Sequence, residues 1–243
     1  MHETLVRDFL FADDCALAAH PEEDLQCLGD CFSTAAKAFG LIINIKKTEV
    51  LCQAAPGTTQ PEPAITIDAA ALKNFEDLTY LGSCLSSSGG LDTEISCRLS
   101  NSSSAFGRLF TRVWRERGIT QASKLAVNRA VILPTLLYGC ETWICYRRHL
   151  KKLDQFHLRC LRRLLGISWE DRVTNHEVLH RSSMPGVEVL IMKVQLRWTG
   201  HVMRMEDSRL SKHLLFRTGS RHSQAGGPDK ALQRLPQELP ARL

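Results

Sequence analysis

Leu5-Val6-Arg7-Asp8-Phe9-Leu10-Phe11-Ala12-Asp13-Asp14-Cys15-Ala16-Leu17-Ala18-Ala19 sets two adjacent carboxylates between two short apolar runs. The first run is broken only by Arg7 and Asp8, and the second is apolar throughout. Such runs around two turn-forming residues predict a β-hairpin with Asp13 and Asp14 as its two-residue connection, because Asp tolerates left-handed geometry better than most side chains. Adjacent carboxylates repel, and a hard divalent cation with oxygen ligands is their natural partner. From the dipeptide alone, a plain polar Asp-Asp turn is the commoner reading.

Outward from the hairpin, Pro21 opens a helix whose first turn carries Glu22, Glu23 and Asp24, the favourable end for acids. Leu25, Leu28, Phe32, Ala35, Ala36 and Phe39 recur at helical spacing, and Gly40 supplies the stop. Leu41 to Cys52 reads as a strand with a polar middle, and Gln53 to Pro63 as a loop. Brief strands follow at Ile65 to Ile67 and Leu78 to Leu81, before a turn at Ser86 to Gly90. From Asp92 onward the pattern is helical. Thr120 is a natural N-cap, Pro134 an expected break, and Leu150, Leu153, His157, Leu161 and Leu164 mark the stripe of a long helix. A last amphipathic helix runs from Val187 to Val202. Gly, Ser, Arg, Gln and Pro dominate from Arg217, which predicts a disordered tail.

The balance of charge is +5, compatible with a polyanionic partner. Its distribution is more telling, since Arg147, Arg148, Lys151, Lys152, Arg159, Arg162 and Arg163 face the single acid Asp154 in that stretch. Either a phosphate-binding surface or a solvated helix face explains such a run. No apolar run approaches the roughly 20 residues needed to cross a bilayer. The N-terminus lacks a signal-peptide pattern, and nine cysteines without one point to reduced thiols. The expectation is an intracellular protein, nuclear or cytoplasmic and not secreted.

Beyond the hairpin, the order of motifs is specific. Phe11-Ala12-Asp13-Asp14, an acidic-start helix and Gly40-Leu41-x-x-Asn44-x-x-Lys47-Thr48-Glu49 are followed by Tyr80-Leu81-Gly82 and by Gly90, Asp92, Glu94, Ile95 and Arg98. Further on stand Leu137-Tyr138-Gly139-Cys140-Glu141-Thr142-Trp143 and Leu196-Arg197-Trp198-x-Gly200-His201-Val202-x-Arg204-Met205. This series resembles the C-terminal portion of non-LTR (LINE-type) retrotransposon reverse transcriptases, over roughly residues 5 to 216.

The resemblance implies an α+β fold, predominantly α. Residues 1–52 would be a partial palm of hairpin plus helix, 53–90 a linker with primer-grip-like strands, 91–216 a helical thumb and C-terminal region, and 217–243 a disordered tail. It implies Asp13 and Asp14 as carboxylate ligands of Mg²⁺ (or Mn²⁺), and Lys47 as the basic group beside the nucleotide phosphates, with Asn44 shaping its turn. Tyr80 and Leu81 would lie near the primer end. Lys151, Lys152, Arg159, Arg162 and Arg163 become candidates for gripping an RNA template and DNA primer. A first metal-binding aspartate and the fingers belong before Met1 in that family, and Asp8 cannot substitute, being five residues from Asp13 or roughly 16 Å along a strand. The expectation is therefore a truncated polymerase that is inactive alone, with weak or absent metal binding.

Two further constellations remain. His176-Glu177-Val178-Leu179-His180 matches the zinc-hydrolase pattern His-Glu-x-x-His, but Thr174-Asn175-His176-Glu177 is also a helix capping box. Cys27 and Cys31 read as small core residues of a helix. Cys140, Cys145, His149, His157 and Cys160 could form a zinc knuckle, although no Cys-x₂-Cys pair anchors them.

Overall fold

The structure is a computed structural model and describes residues 8–54 and 63–221. It is predominantly helical with small sheets, an α+β arrangement of the expected kind. The first compact unit reaches Ile191 and the second runs from Met192.

Strands β1 (Asp8–Phe11) and β2 (Asp14–Leu17) form the N-terminal antiparallel hairpin. Its register pairs Phe11 with Asp14, so the two-residue turn is Ala12-Asp13 and not Asp13-Asp14. Ala12 takes the positive φ of 52° that was expected of an aspartate. The ladder runs from Asp8 opposite Leu17 to Phe11 opposite Asp14, and this register leaves Ala12-Asp13 as the connection. Phe9, Leu10 and Phe11 are exposed, leaving an apolar strand edge in water.

Helix α1 (Glu22–Ala38) ends as its sequence dictates. Gly40, at φ +71°, donates to the Lys37 carbonyl, and Leu41 donates to that of Ala36, the paired bonds of a glycine-terminated helix. The expected strand from Leu41 to Cys52 shrinks to β3 (Glu49–Val50). The carbonyl of Asn44 accepts from the amides of Lys47 and Thr48 and from the Thr48 hydroxyl, and that local turn competes with extended pairing.

Strands β4 (Thr66–Ile67) and β5 (Ala70–Ala71) form a hairpin around Asp68-Ala69, both at positive φ. Gln26 of α1 clasps β4, accepting from the Thr66 amide and donating to its carbonyl, each at 2.8 Å. Strand β6 (Lys73–Asn74) pairs in parallel with β3. Strand β7 (Asp77–Tyr80) pairs with β8 (Ser83–Ser86) around Leu81-Gly82, again with positive φ at both residues, the twist that tight hairpins favour. The sequence reading placed a turn after Ser86 but did not recognise β8 as a strand.

Helix α2 (Asp92–Arg108) passes into a π-helical turn at Phe110–Trp114, where Trp114 stacks on Phe106 and donates its indole N–H to the Phe106 carbonyl at 2.8 Å. Helix α3 (Gln121–Val127) is capped by the Thr120 hydroxyl, as expected. Pro134 does not break the chain's helical course. A π turn at Asn128–Ile132 leads directly into α4 (Leu133–Leu136), with the proline in its first turn. Proline lacks the N–H that the preceding turn would use, and a widened turn absorbs that loss.

Helices α5 (Arg147–Leu165) and α6 (Asn175–Ser182) complete the first unit's core. Leu158, Leu161 and Val178 bury their side chains with Leu133 and Met184, each contributing about 1.5–3 kcal/mol. The chain leaves the first unit within α7 (Val187–Met203), and α8 (Leu210–Arg221) follows. In the second unit Lys212 reaches Asp207 at 2.6 Å and the Met205 carbonyl at 2.9 Å. Helix α8 continues past residue 217, where composition suggested a tail, and residues 222–243 of that tail lie outside the described residues.

His157 is buried within α5 and donates to the Pro185 carbonyl, while its Nε2 has no partner. Burial therefore holds its pKa below the usual 6.5, with the Pro185 bond and Asp154 opposing. The unfolded chain takes up this proton at a higher pH than the folded one, so stability is full above about pH 6.5 and declines as pH falls below it. Replacing His157 with Gln is expected to flatten this decline between pH 6.5 and 5, read from urea midpoints at stepped pH.

Candidate nucleic-acid interface

A buried ion pair organises the β7–β8 hairpin. Glu94 and Arg98 stand i, i+4 on α2, with Nε–Oε1 at 2.7 Å and side chains only 5% and 7% exposed. The other Glu94 oxygen accepts the Cys84 amide of β8 at 2.6 Å, and Arg98 donates to the Gly82 carbonyl of the turn. The free face of the Arg98 guanidinium lies 4.8 Å from the centre of the Tyr138 ring. Tyr138 returns its hydroxyl to the Leu81 carbonyl at 3.3 Å.

Gly139 follows at φ +75°, and a side chain there would meet the Ser83 hydroxyl at 3.4 Å. A hydrogen bond from the Tyr80 hydroxyl to the Phe9 carbonyl, 2.9 Å long, then ties this assembly to the β1–β2 hairpin. Tyr80, Leu81 and the Asp13-Asp14 hairpin thus belong to one connected set.

Asp13 and Asp14 are both exposed, one in the turn and one opening β2. Among the described residues no three His, Cys, Asp or Glu side chains converge in a way that could hold a metal ion. The hairpin offers two neighbouring carboxylates, which is fewer than a pair of ions about 3.5–4 Å apart requires. Lys47 is exposed at the end of the Asn44 turn. Asn44 shapes that turn through its main-chain carbonyl.

Helix α2 also meets α5 through Asp92. Its carboxylate receives Arg148 at 2.6 Å and His149 Nε2 at 3.1 Å, with Lys152 at 3.9 Å. Burial pushes Asp92 up, but the bonds from His149 and Arg148 outweigh it and hold the carboxyl below its usual value. The amide of Tyr146 donates to His149 Nδ1, and His149 Nε2 lies within hydrogen-bond distance of both Asp92 and the Arg148 Nε–H.

Of the five basic candidates on α5, Lys151, Lys152, Arg159 and Arg163 are exposed. Arg162 is half-buried and donates to the Val173 carbonyl and to Asn175 Oδ1. Arg163 lies over the Phe110 ring at 4.5 Å.

The zinc patterns find other uses. Glu177 pairs with Arg181 at 2.7 Å, and its amide is capped by the Thr174 hydroxyl at 3.3 Å. Burial pushes the thiols of Cys140 and Cys160 up to about 12, which keeps them protonated and poor as metal ligands. Cys27 and Cys31 are exposed on α1, not in its core.

Sequence reasoning passed over Glu94, Arg98 and Tyr138 as a structural unit. The i, i+4 spacing of the first two was a visible signal for their pairing. Their contacts with Cys84, Gly82 and Tyr138 were not, being set by tertiary packing.

The chain is 27% identical over 208 residues to an uncharacterized transposon-derived protein of Caenorhabditis elegans. The match covers 82% of this chain and 72% of that protein, and is consistent with a transposon origin. No family model and no solved structure matches the chain. No described helix is long and apolar enough to cross a membrane.

Removing one partner of a buried ion pair strands the other charge. Arg98→Met is expected to destabilise the first unit by about 3–5 kcal/mol in urea denaturation. Glu94→Leu combined with Arg98→Met should recover much of that loss, and a double substitution as damaging as the sum of the singles would contradict the coupling.

Proposed function

We propose that this chain is the palm-edge and thumb portion of an RNA-directed DNA polymerase of the non-LTR retrotransposon kind. By itself it holds a template and primer without copying them. The observation that carries this reading is the hydrogen bond from Tyr80 to the Phe9 carbonyl. It unites, across 71 positions of sequence, the carboxylate hairpin, which the family resemblance assigns to the metal ions, and the Tyr80-Leu81-Gly82 turn, which it assigns to the primer end. The Glu94–Arg98 pair and Tyr138 hold that turn rigid from behind, which suits a surface that must position a strand end. The likeness to a transposon-derived protein points the same way.

In the intact family, bound Mg²⁺ (or Mn²⁺) activates the primer hydroxyl and steadies the leaving pyrophosphate. Asp13 and Asp14 would contribute two of the ligands, and Lys47 a positive charge for the nucleotide phosphates. The described residues do not complete that donor set, so no chemical step is assigned to them alone. What they supply is binding. Lys151, Lys152, Arg159, Arg162 and Arg163 offer charge for phosphates along one helix, independent of the carboxylates. A non-catalytic nucleic-acid-binding remnant is therefore the reading nearest to this one, favoured by the same basic helix. The zinc-hydrolase reading has no comparable support, since Arg181 occupies the glutamate it needs.

Primer extension on an RNA template with Mg²⁺, with anisotropy followed in the same samples, tests the proposal. Salt-sensitive binding is expected, with a log–log slope of about −3 to −4 for four or five phosphate contacts. That binding should survive Asp13→Asn plus Asp14→Asn within about twofold, because it rests on cations and not on the hairpin. Templated incorporation that the double substitution abolishes would show a complete catalytic site, and lack of binding at low salt would overturn the reading altogether.

A further inference from the structure

The basic residues of α5 share one face. At 3.6 residues per turn, Arg147 to Arg163 place their seven cations within a sector of about 160° that also holds the buried Leu158, with Leu153, Phe156, Cys160 and Leu164 buried on the opposite side. Arg148, Lys152, Arg159 and Arg163 line up along the helix for about 22 Å. Where α5 ends against the start of α6 the row opens into a cleft of about 480 Å³, lined by Gln155, Arg159, Arg162, Arg163, Ile167 and Asn175. Two of its guanidiniums are already oriented by the protein. Arg162 is braced by Val173 and Asn175, and Arg163 rests on Phe110. Arg159 has no ion-pair partner among the described residues.

Just past this cleft stands Trp169. Gly166, at φ +69°, stops α5 and lets the Ile167 amide return to the Arg162 carbonyl. The chain then folds into a turn with its own bonds. Ser168 donates its amide to the Asp171 carboxylate at 2.6 Å, and Arg172, at φ +50°, donates to the Trp169 carbonyl at 3.3 Å. This turn presents Trp169 to solvent at 87% exposure, whereas Trp114 and Trp143 are 8% and 6% exposed. Ile167, which lines the cleft, is two residues away, at most about 7 Å of chain. One free acid, Glu170, shares the turn, while Asp171 is committed to Ser168.

We propose that the α5 cleft and Trp169 take a single-stranded nucleic-acid segment, its phosphates on Arg159 and Arg163 and one unpaired base stacked on the Trp169 indole. This rests on the nucleic-acid reading above and narrows it. A row of cations attracts any polyanion, but an exposed indole beside it selects for unstacked bases, because a duplex keeps its base faces covered. Stacking accepts any base, so the site discriminates strandedness more than sequence.

The test uses the full chain with a fluorescein-labelled 15-nucleotide single strand, as RNA and as DNA, and the same sequence as a duplex. Trp169→Ala should weaken single-strand binding about tenfold and duplex binding less than twofold, with Trp169→Phe restoring most of the loss. Arg159→Ala plus Arg163→Ala should weaken both and reduce the salt slope by about 1–2. Iodide quenching of tryptophan fluorescence should fall on adding single strand and stay unchanged with Trp169→Ala. If wild type binds nucleic acid but Trp169→Ala equals it on single strands, this inference fails and the broader reading stands. If wild type binds no nucleic acid, both fail. A poly-glutamate peptide that binds as tightly as the single strand would also overturn it, since the site would then recognise charge alone.

Discussion

The buried Glu94–Arg98 pair is the constraint on which the candidate interface depends. Two charges in a dry interior are tolerable only when each is paired and its remaining hydrogen-bonding capacity is used. Here the unused capacity is spent on the backbone of the β7–β8 hairpin and on the Tyr138 ring. A hairpin of two short strands is marginal by itself in water. This one is held because its Cys84 amide and Gly82 carbonyl are partners that the ion pair needs.

From that anchor the rest of the first unit follows in sequence. Tyr138 reaches the same turn from beyond α4, so the helical half is tied to the hairpin by a second bond. Asp92, two residues before Arg98's partner Glu94, binds the start of α5 through His149 and Arg148. The basic helix is thereby anchored at its first turn and stopped at its last by Gly166, with its apolar face on the Leu133, Val178 and Met184 cluster. Lys151, Lys152, Arg159 and Arg163 are left exposed, while Arg162 turns back to Val173 and Asn175. A helix carrying that much like charge is costly to leave bare, and a polyanionic partner would relieve the repulsion.

Much of this was legible beforehand, for reasons that are local. Gly40 ends its helix because the αL position penalises a Cβ, and Thr120 and Thr174 cap helices because a hydroxyl satisfies an orphan amide. Other features were misread where long-range effects prevailed. The hairpin turn sits at Ala12-Asp13 because the strand register pairs Phe11 with Asp14. Leu41 to Cys52 lost most of its strand to the Asn44 turn, and Pro134 was absorbed by a π turn instead of breaking its helix. Trp169 gave no signal at all, since an aromatic residue in a turn reads the same whether it is covered or bare.

The sequence by itself determined the helix ends, the basic face of α5, the paired carboxylates of the hairpin and the order of motifs along the chain. These rest on backbone conformation and on residue spacing, which act over a few positions. Only the tertiary structure decided that Tyr80 reaches Phe9, that Arg98 spends its charge on Glu94, Gly82 and Tyr138, and that Trp169 stands in solvent beside the α5 cleft. Those outcomes depend on which groups compete for the same buried volume, and desolvation settles that competition between residues far apart in the chain.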